Sequence, residues 1–340
     1  MLRLREPRSV HPKTMVITLV ALTVLQPVRF TASVRTDADD PAIWVNAKNR
    51  TQSRVIGTDK APYPNGGLYV FDLKGRIVQH VGQLDRPNNV DVQTNCRFGA
   101  RTVDLAVATE RGKRRLRIWT IDHRTGKLSD VTGKTRVFTD SSGEQSAPMG
   151  IALFLDPKSK RTYAFVSRKQ NTGQQVIGQY ELVRRGDRID LAFKRYLGNT
   201  RNGGELEALY VDDAEAVLYY AEEPVGYHRF DLAASGSPEQ VFATESYDGD
   251  REGIASYKSA HGTYLLTSEQ RDNANRYRVY SQEPKPKLLA ILDSAIDATD
   301  GLDATSESLG PEFPNGLVVV MNSKAKNFAY ISPWFLRRKL

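Results

Sequence analysis

Short apolar segments rich in β-branched and aromatic residues recur along almost the whole chain, with charged and turn-forming residues between them. Examples are Ala42–Val45, Arg54–Thr58, Gly67–Asp72, Val103–Ala108, Leu116–Ile121, Tyr163–Ser167, Val217–Ala221 and Tyr264–Thr267. Segments of this length and composition, bounded by turns such as Asp-x-x-Gly, are typical of strands. Almost no helical periodicity follows Val34. The sequence therefore predicts an all-β fold.

The segments also form a repeat. Each unit opens with an acidic or amide residue directly before a short apolar strand, and a second strand ends in a charged cluster. The openings lie near Pro41, Asn89, Met149, Leu206, Glu252 and Asp300. The period of roughly 46–60 residues is typical of propeller blades, so we predict a six-bladed β-propeller with four-stranded antiparallel blades. We expect N-terminal sequence to complete the last blade, which contains Gly316–Met321 and Phe328–Ile331, and so to close the ring.

In such a blade the start of the first strand and the end of the second strand lie at the same rim, so equivalent residues of all blades surround one mouth of the central channel. The strand starts contribute Asp39, Asp40, Asn88, Asn89, Asp91, Glu205, Glu207, Asp250, Glu252, Asp300 and Asp303. The ends of the second strands contribute Asp59, Lys60, Glu110, Arg111, Arg168, Lys169, Glu222, Glu223 and Glu269. Any one of these residues alone is more simply a turn former or a solvated charge. Their repetition at equivalent blade positions indicates a site.

Crowded carboxylates repel one another unless they are protonated, paired or neutralised by a metal. Oxygen ligands favour Ca²⁺ or Mg²⁺ over zinc, and calcium tolerates the irregular geometry that ligands from separate blades supply. Lys60, Arg111 and Lys169 would be costly beside bound cations unless an anion with many oxygens also docks there. The rim therefore predicts a phosphate or polyphosphate bound to calcium and to these side chains, with a calcium-bound water as the nucleophile.

The overall charge permits an anionic partner without identifying it. The net charge of +8 would suit nucleic acid, an acidic membrane surface or a polyphosphate. The basic residues form no long patch interleaved with aromatic residues, so no nucleic-acid partner is predicted. The single cysteine, Cys96, excludes an internal disulfide framework and any zinc or iron–sulfur site built from several cysteines.

The first residues have the pattern of an export signal. Four basic residues precede the apolar run Met15–Leu25, which is too short for a transmembrane helix and matches the two regions of a signal peptide. We predict a signal peptide and leader over residues 1–34, with cleavage within Gln26–Val34, and a single propeller domain over residues 35–340. The mature protein is expected to be secreted or periplasmic, monomeric, and without stable membrane association.

Seven short motifs are distributed along the chain. The most specific is D-A-D-D-P-A-I-W at Asp37–Trp44. The others are N-N-V-D-V (Asn88–Val92), A-E-E (Ala221–Glu223), R-E-G (Arg251–Gly253), T-D-G-L-D (Thr299–Asp303), L-G-P-E-F-P (Leu309–Pro314) and S-P-W (Ser332–Trp334). In this order, and covering nearly the whole chain after the leader, they resemble the motifs of the β-propeller phytases, calcium-dependent enzymes that hydrolyse phytate (myo-inositol hexakisphosphate).

The resemblance implies several bound calcium ions and stepwise release of phosphate from phytate as its calcium complex, at a cleavage site with a neighbouring phosphate-affinity site. It implies that calcium at the cleavage site is held by Asp39, Glu207, Glu223, Glu252 and Asp300. Asp40, with the main chain of Pro41 and Val90, would hold a structural calcium ion that ties two blades together. Substrate binding is assigned to Lys60, Arg111, Arg168 and Lys169, and catalysis to Lys60, Arg111, Lys169, Glu207 and Glu223.

The chain departs from some relatives at four places. Met149 stands where a site tyrosine occurs, and Gln170 stands where an acidic residue occurs. The stretch Asp293–Asp300 is shorter than an Asp- and Gly-rich loop, and Met321-Asn322 replaces a Gln-Asp pair. We therefore expect one peripheral calcium site to be lost, and calcium to raise the melting temperature less than in those relatives.

Two functions other than that of a phytase are compatible with a calcium-binding propeller. A six-bladed calcium lactonase or arylesterase would also place a metal in the channel, but it needs an apolar pocket and few cations, and the basic residues of the rim argue against it. A non-catalytic calcium-binding propeller that binds a polyanion would not need Glu207, Glu223 and Glu252 together. Phosphate release from phytate distinguishes a phytase from both.

Overall fold

The computed structural model describes residues 24–170, 173–201, 203–233, 239–272, 274–337 and 340, so most of the predicted signal peptide lies outside it. Within these ranges the strands are β1 (Val24–Leu25), β2 (Arg29–Phe30), β3 (Ala38–Trp44), β4 (Arg54–Asp59), β5 (Gly66–Phe71), β6 (Ile77–Leu84), β7 (Pro87–Phe98), β8 (Arg101–Glu110), β9 (Arg115–Ile121), β10 (Leu128–Asp130), β11 (Pro148–Leu155), β12 (Thr162–Arg168), β13 (Gln174–Arg185), β14 (Arg188–Asn199), β15 (Leu209–Asp212), β16 (Val217–Glu222), β17 (Gly226–Asp231), β18 (Gln240–Phe242), β19 (Asp250–Ser259), β20 (Gly262–Gln270), β21 (Arg276–Ser281), β22 (Leu288–Ser294), β23 (Leu302–Thr305), β24 (Leu317–Asn322) and β25 (Asn327–Ile331). Short 3₁₀ helices lie at Arg50–Gln52, Arg111–Lys113, Gly143–Ser146 and Pro333–Arg337. No helix in the described ranges is long and apolar enough to cross a membrane.

The strands form six sheets, each a blade of a propeller. Blade 1 is β3–β6, blade 2 is β7–β10, blade 3 is β11–β14, blade 4 is β15–β18, blade 5 is β19–β22, and blade 6 is β23–β25 with β2. Strands that follow one another within a blade pair antiparallel. The predicted six-bladed, all-β fold is confirmed, and each predicted blade opening lies within three residues of the start of an innermost strand.

The N-terminal segment closes the ring, as predicted. Strand β2 pairs antiparallel with β25, with Arg29 opposite Tyr330, and becomes the outer strand of blade 6. Strand β1 adds a fifth, parallel strand to blade 5. Val34 is buried in the core between blades 6 and 1. The predicted domain boundary after Val34 therefore lies inside the propeller, and cleavage at the end of the predicted window would remove β2.

Six apolar clusters fill the spaces between neighbouring blades. Ile56 of blade 1 packs in one cluster with Trp119 of blade 2. On the other side of blade 1, the rings of Phe71 and Phe328 lie 5.8 Å apart. A Cβ atom on Gly57 would lie 2.1 Å from the Phe328 ring, so this close approach of blades 1 and 6 requires glycine.

The middle strands bury both faces because a blade packs on either side of them. All six residues of β5 and of β16 are buried, whereas the outer strand β6 is half exposed along most of its length. This explains why the middle strands are continuous apolar runs rather than alternating ones. Because the middle strands are buried on both faces, charged side chains gather at the strand ends.

Candidate active site at the channel mouth

A β-bulge recurs in the innermost strand of four blades, at the rim where the site is predicted. The register shifts lie between Ala38 and Pro41, Pro87 and Val90, Pro148 and Ile151, and Arg251 and Ile254. The residues set out of the ladder are Asp39-Asp40, Asn88-Asn89, Met149-Gly150 and Glu252-Gly253. Bulges re-aim side chains and are frequent next to active sites. The same type of bulge therefore orients the rim residues of four blades.

Hydroxyl groups near the ends of the second strands hold three of these four bulges. The bulge N–H groups donate from Asp40 to Thr58 Oγ1 (2.9 Å), from Asn89 to Thr109 Oγ1 (3.0 Å) and from Gly150 to Ser167 Oγ (2.9 Å). Three hydroxyls also donate to the next blade: Thr109 to the Met149 carbonyl (2.9 Å), Ser167 to the Leu206 carbonyl (2.5 Å) and Ser268 to the Asp300 carbonyl (3.1 Å). The buried hydroxyls therefore fix the rim of their own blade and tie it to the neighbouring one.

Asp39 and Asp300 share one cation. The Asp39 carboxylate is fully buried, and its Oδ1 forms an ion pair with the Lys60 ammonium. The same ammonium lies 3.6 Å from Asp300 Oδ2, and Gln270 donates to Asp300 Oδ1. Burial would lower the pKa of Lys60, but the charges of Asp39, Glu207 and Asp300 outweigh burial and raise that pKa above its ordinary value. Lys60 is therefore held as a cation between two of the predicted calcium ligands.

Glu207 is buried beside them and accepts a 2.7 Å hydrogen bond from Asn88 Nδ2 at its Oε1. Burial and then the charge of Asp39 raise the pKa of Glu207, against the opposing charge of Lys60, to about 8. A carboxyl group with this pKa is protonated for part of the time at neutral pH unless another cation approaches it. Asn88 was predicted only as a rim residue, and its role as the donor to Glu207 was missed.

Glu223 and Glu252 complete the acidic part of the mouth. Burial and then the neighbouring charges of Glu205 and Asp250 raise the pKa of Glu223 to about 7. Burial, followed by the charges of Glu207 and Glu223, raises the pKa of Glu252 well above its ordinary value. Burial and the charge of Asp39 do the same for the pKa of Asp300. The structure therefore brings the five predicted calcium ligands of the cleavage site together.

Lys169 lies near these carboxylates, and Arg111 lies near Met149, in the bulge of the next blade. The Lys169 ammonium forms an ion pair with Glu205, and its charge opposes the rise in the pKa of Glu207 and of Glu223. The half-buried Arg111 lies with Nη1 3.5 Å from Met149 Sδ. Among the described residues, no carboxylate forms an ion pair with Arg111. Its guanidinium is therefore open to an anion, which a guanidinium can hold with paired hydrogen bonds.

Arg168 has a different environment from Lys169. Its guanidinium donates to Ser141 Oγ, to the Gln145 carbonyl, to both oxygens of Asp140 and to the Gln175 carbonyl. It also lies over the Phe138 ring, at 4.2 Å from the ring centroid. All five N–H groups are engaged, so binding substrate as predicted would require these contacts to break. We assign Arg168 instead to anchoring the segment 138–147.

Asp40 ties blade 1 to blade 2, since its Oδ2 accepts a 2.9 Å hydrogen bond from the Val90 N–H. Burial raises the pKa of Asp40 well above its ordinary value, although the Val90 hydrogen bond opposes this. A Cβ atom on Gly301 would lie 1.9 Å from Asp40 Oδ1, so only glycine fits there. Asp40, Pro41 and Val90, the three residues predicted to hold a structural calcium ion, line one cavity.

That cavity has a volume of about 530 Å³ and follows the central channel between the innermost strands. Asp91 and Asp303, predicted at the rim, lie in its wall and join neighbouring blades. Asp91 Oδ2 accepts from the Leu153 N–H at 2.6 Å, and Asp303 Oδ2 accepts from the Ile43 N–H at 2.7 Å. Burial raises the pKa of Asp91 to about 8 and that of Asp303 to about 7. These two carboxyl groups hold the blades in register.

The donor set of the mouth fits calcium. Asp39 Oδ2, Glu252 Oε2 and Asn88 Oδ1 are buried and have no hydrogen-bond partner in the described part of the chain. Unpartnered buried oxygens are costly, and a hard cation satisfies them. No three Asp, Glu, His or Cys side chains of the described residues are grouped tightly enough to hold a metal ion as they stand. Holding calcium here would therefore require these carboxylate side chains to move closer together.

Comparison with known proteins identifies the family. The family model described as phytase matches residues 14–330. The chain belongs to the phytase family. This phytase is 31% identical over 301 residues to the 3-phytase of Bacillus subtilis, across 84% of this chain and 75% of that protein. The fold is also similar to that of regucalcin, a calcium-binding protein from Agrobacterium tumefaciens, with a TM-score of 0.55 and 10% identity over 91% of this chain and 96% of that one.

The predicted family and enzyme class are confirmed, and the substrate of a phytase is a small molecule, phytate. The regucalcin likeness shows the propeller fold alone.

The second-strand hydroxyls of this phytase were missed by sequence reasoning. Their signal is a Thr or Ser directly before the charged residue that ends the second strand, as at Thr58-Asp59, Thr109-Glu110, Ser167-Arg168 and Ser268-Glu269.

Proposed function

We propose that this phytase is a calcium-dependent phosphomonoester hydrolase that releases inorganic phosphate stepwise from phytate bound as its calcium complex. The observation that carries the proposal is a group of five carboxyl groups on the rim that also carries the open guanidinium of Arg111: Asp39, Glu207 and Glu252 are buried, and Glu223 and Asp300 are partly buried. Groups whose pKa is strongly perturbed at one place are typical of functional sites. Carboxylates beside an uncommitted cation suit a metal-bridged anion.

Calcium held by these five carboxylates would neutralise their repulsion, polarise phosphate oxygens and lower the pKa of a water molecule. The bound phosphate would then be gripped by Arg111, Lys60 and Lys169. Arg111 suits two phosphate oxygens because its donors lie in a planar fork, whereas each lysine supplies a compact charge. These cations also stabilise negative charge on the transferring phosphoryl group. Asp40, with the main chain of Pro41 and Val90, would hold a second, structural calcium ion between blades 1 and 2.

We further propose that the protein is exported and works as a monomer. The supporting observations are the basic and apolar N-terminal pattern and the closure of the ring within one chain. Cleavage before Arg29 would keep the outer strand of blade 6. Mass spectrometry of the secreted protein measures the cleavage position, and the mass of the particle in solution tests the oligomeric state.

The test of the function compares wild-type protein with Arg111→Met, using phytate as substrate at fixed calcium. We expect the wild type to release phosphate, and the variant to show a KM raised by about tenfold or more because one charge-assisted contact is lost. Binding of phytate without phosphate release by folded wild-type protein would favour a polyanion-binding propeller. Hydrolysis of lactones or aryl esters in place of phytate would favour a lactonase.

A further inference from the structure

Lys60 contacts the oxygens that are proposed to hold calcium. Its ammonium pairs with Asp39 Oδ1 and lies 3.6 Å from Asp300 Oδ2. Within the described ranges, no other lysine or arginine forms an ion pair with any of the five proposed ligands of the cleavage site. Two other lysines have partners outside this set: Lys169 pairs with Glu205, and Lys113, which ends the 3₁₀ helix that begins at Arg111, pairs with Asp85.

Calcium and an ammonium group cannot both use these oxygens. Calcium takes its oxygen ligands at about 2.3–2.6 Å, and an ammonium at hydrogen-bond distance from the same carboxylate oxygen occupies the same space and repels the ion. We propose that Lys60 is a built-in competitor of calcium, and that calcium binding moves the Lys60 ammonium off Asp39 and Asp300 and frees it for a phosphate oxygen. This inference rests on the proposed function, because it takes Asp39 and Asp300 as calcium ligands.

The surroundings of Lys60 allow this exchange. Its side chain is 23% exposed, so the ammonium has access to the mouth, whereas the Asp39 side chain that it pairs with is fully buried. A lysine has a flexible stem and three donors that rotate freely, so it can leave one set of oxygens for another without a fixed geometry. The backbone around it is fixed separately, because the Lys60 N–H donates to the Asp37 carbonyl at 2.8 Å. Only the side chain needs to move.

The exchange couples two ligands. Calcium releases Lys60 toward the phosphate, and a phosphate that engages Lys60 removes the competitor of calcium. Coupling of this kind is reciprocal, so each ligand raises the affinity for the other. Lys60 therefore makes the site favour calcium and phosphate together over either alone.

The test is a calcium titration by calorimetry into chelator-stripped protein, for wild type, Lys60→Met, Lys60→Arg and the matched control Lys113→Met. Each of the three variants replaces one lysine that follows the end of a second strand. We expect K60M to bind calcium about tenfold more tightly than wild type, K60R to stay close to wild type because it restores a cation, and K113M to change less than twofold. Stripped K60M should also melt at a lower temperature than stripped wild type and gain more from calcium, because Asp39 and Asp300 have lost their counter-ion.

The outcomes separate this inference from the proposed function. If wild type binds no calcium, the proposed function fails and the inference fails with it. If wild type binds calcium but K60M has the same affinity, or K113M gains as much as K60M, the competition by Lys60 is wrong while calcium dependence stands. Should K60M unfold without calcium, Lys60→Gln takes its place: tighter calcium binding by Lys60→Gln than by K60R supports the competition, and equal affinity of the two contradicts it.

Discussion

Asn88 donates a 2.7 Å hydrogen bond to Oε1 of Glu207, a residue 119 positions later, and so joins blade 2 to the start of blade 4 across the channel mouth. A second hydrogen bond joins the same two blades deeper in the channel, from Gln93 Nε2 to Asp213 Oδ2 at 2.9 Å. The two contacts are alike in chemistry, but only the first touches a proposed calcium ligand. They therefore form a matched pair for experiment.

Asn88→Ala should move the pH dependence of activity. Without its donor, ionised Glu207 is less stable and its pKa rises above the value of about 8, so calcium competes with protons over a higher pH range. We expect the acid limb of phosphate release, measured below calcium saturation, to shift upward by about one pH unit. Gln93→Ala should lower the melting temperature and leave the acid limb of phosphate release at the same pH. Equal shifts of the acid limb in both variants would contradict the role of Asn88.

Ser167→Ala tests the hydroxyls that hold the bulges. The change leaves the Gly150 N–H and the Leu206 carbonyl without their partner, at a cost of about 1–3 kcal/mol in the free energy of unfolding. Because Leu206 directly precedes Glu207, calcium affinity should fall as well. Denaturant unfolding and calcium titration measure the two effects, and the exposed Ser129→Ala serves as the control. An S167A protein as stable as S129A would show that the hydroxyl is dispensable.

The position of the blades could be predicted because each blade repeats the same pattern, with a charged opening and two continuous apolar strands. The same pattern predicted that the second strands of blades 1 and 3 end next to Lys60 and Lys169. What the pattern could not give is which of two consecutive basic residues serves the rim, because the bulge in the facing strand shifts the local register. Arg168 is anchored by Asp140 and stacked near Phe138, and such long-range partners leave no local signal.

Arg168 and Lys169 should therefore respond differently to substitution. Arg168→Ala breaks the ion pair and the stacking that anchor segment 138–147 and should lower the free energy of unfolding by about 2–4 kcal/mol. Lys169→Met should leave stability nearly unchanged and raise KM for phytate by about tenfold. Chemical unfolding and steady-state kinetics separate the two. A large rise in KM for R168A without loss of stability would restore Arg168 to the substrate-binding set.

Calcium-stripped protein should lose stability as pH rises. Burial and then the charges of neighbouring carboxylates raise the pKa of Glu223 to about 7 and that of Glu207 to about 8, both above the ordinary value of 4.5. The native state then holds protons that the unfolded chain has released, so the stabilisation that these two groups contribute is greatest below pH 4.5 and falls as pH rises from 5 toward 8. Calcium should reverse this trend by pairing with the ionised groups. Melting temperatures from pH 5 to pH 8, with and without calcium, test both; a stripped protein that gains stability over this range would contradict the burial of these carboxyl groups.

We propose that this phytase releases phosphate from phytate only when calcium is bound at its channel mouth. The most direct measurement is inorganic phosphate release from phytate at neutral pH by the same preparation with calcium, after chelation, and after calcium is restored. We predict release, loss of release and recovery, in that order, with the fold intact by circular dichroism throughout. Equal release in all three states, or no release in any, would contradict the account.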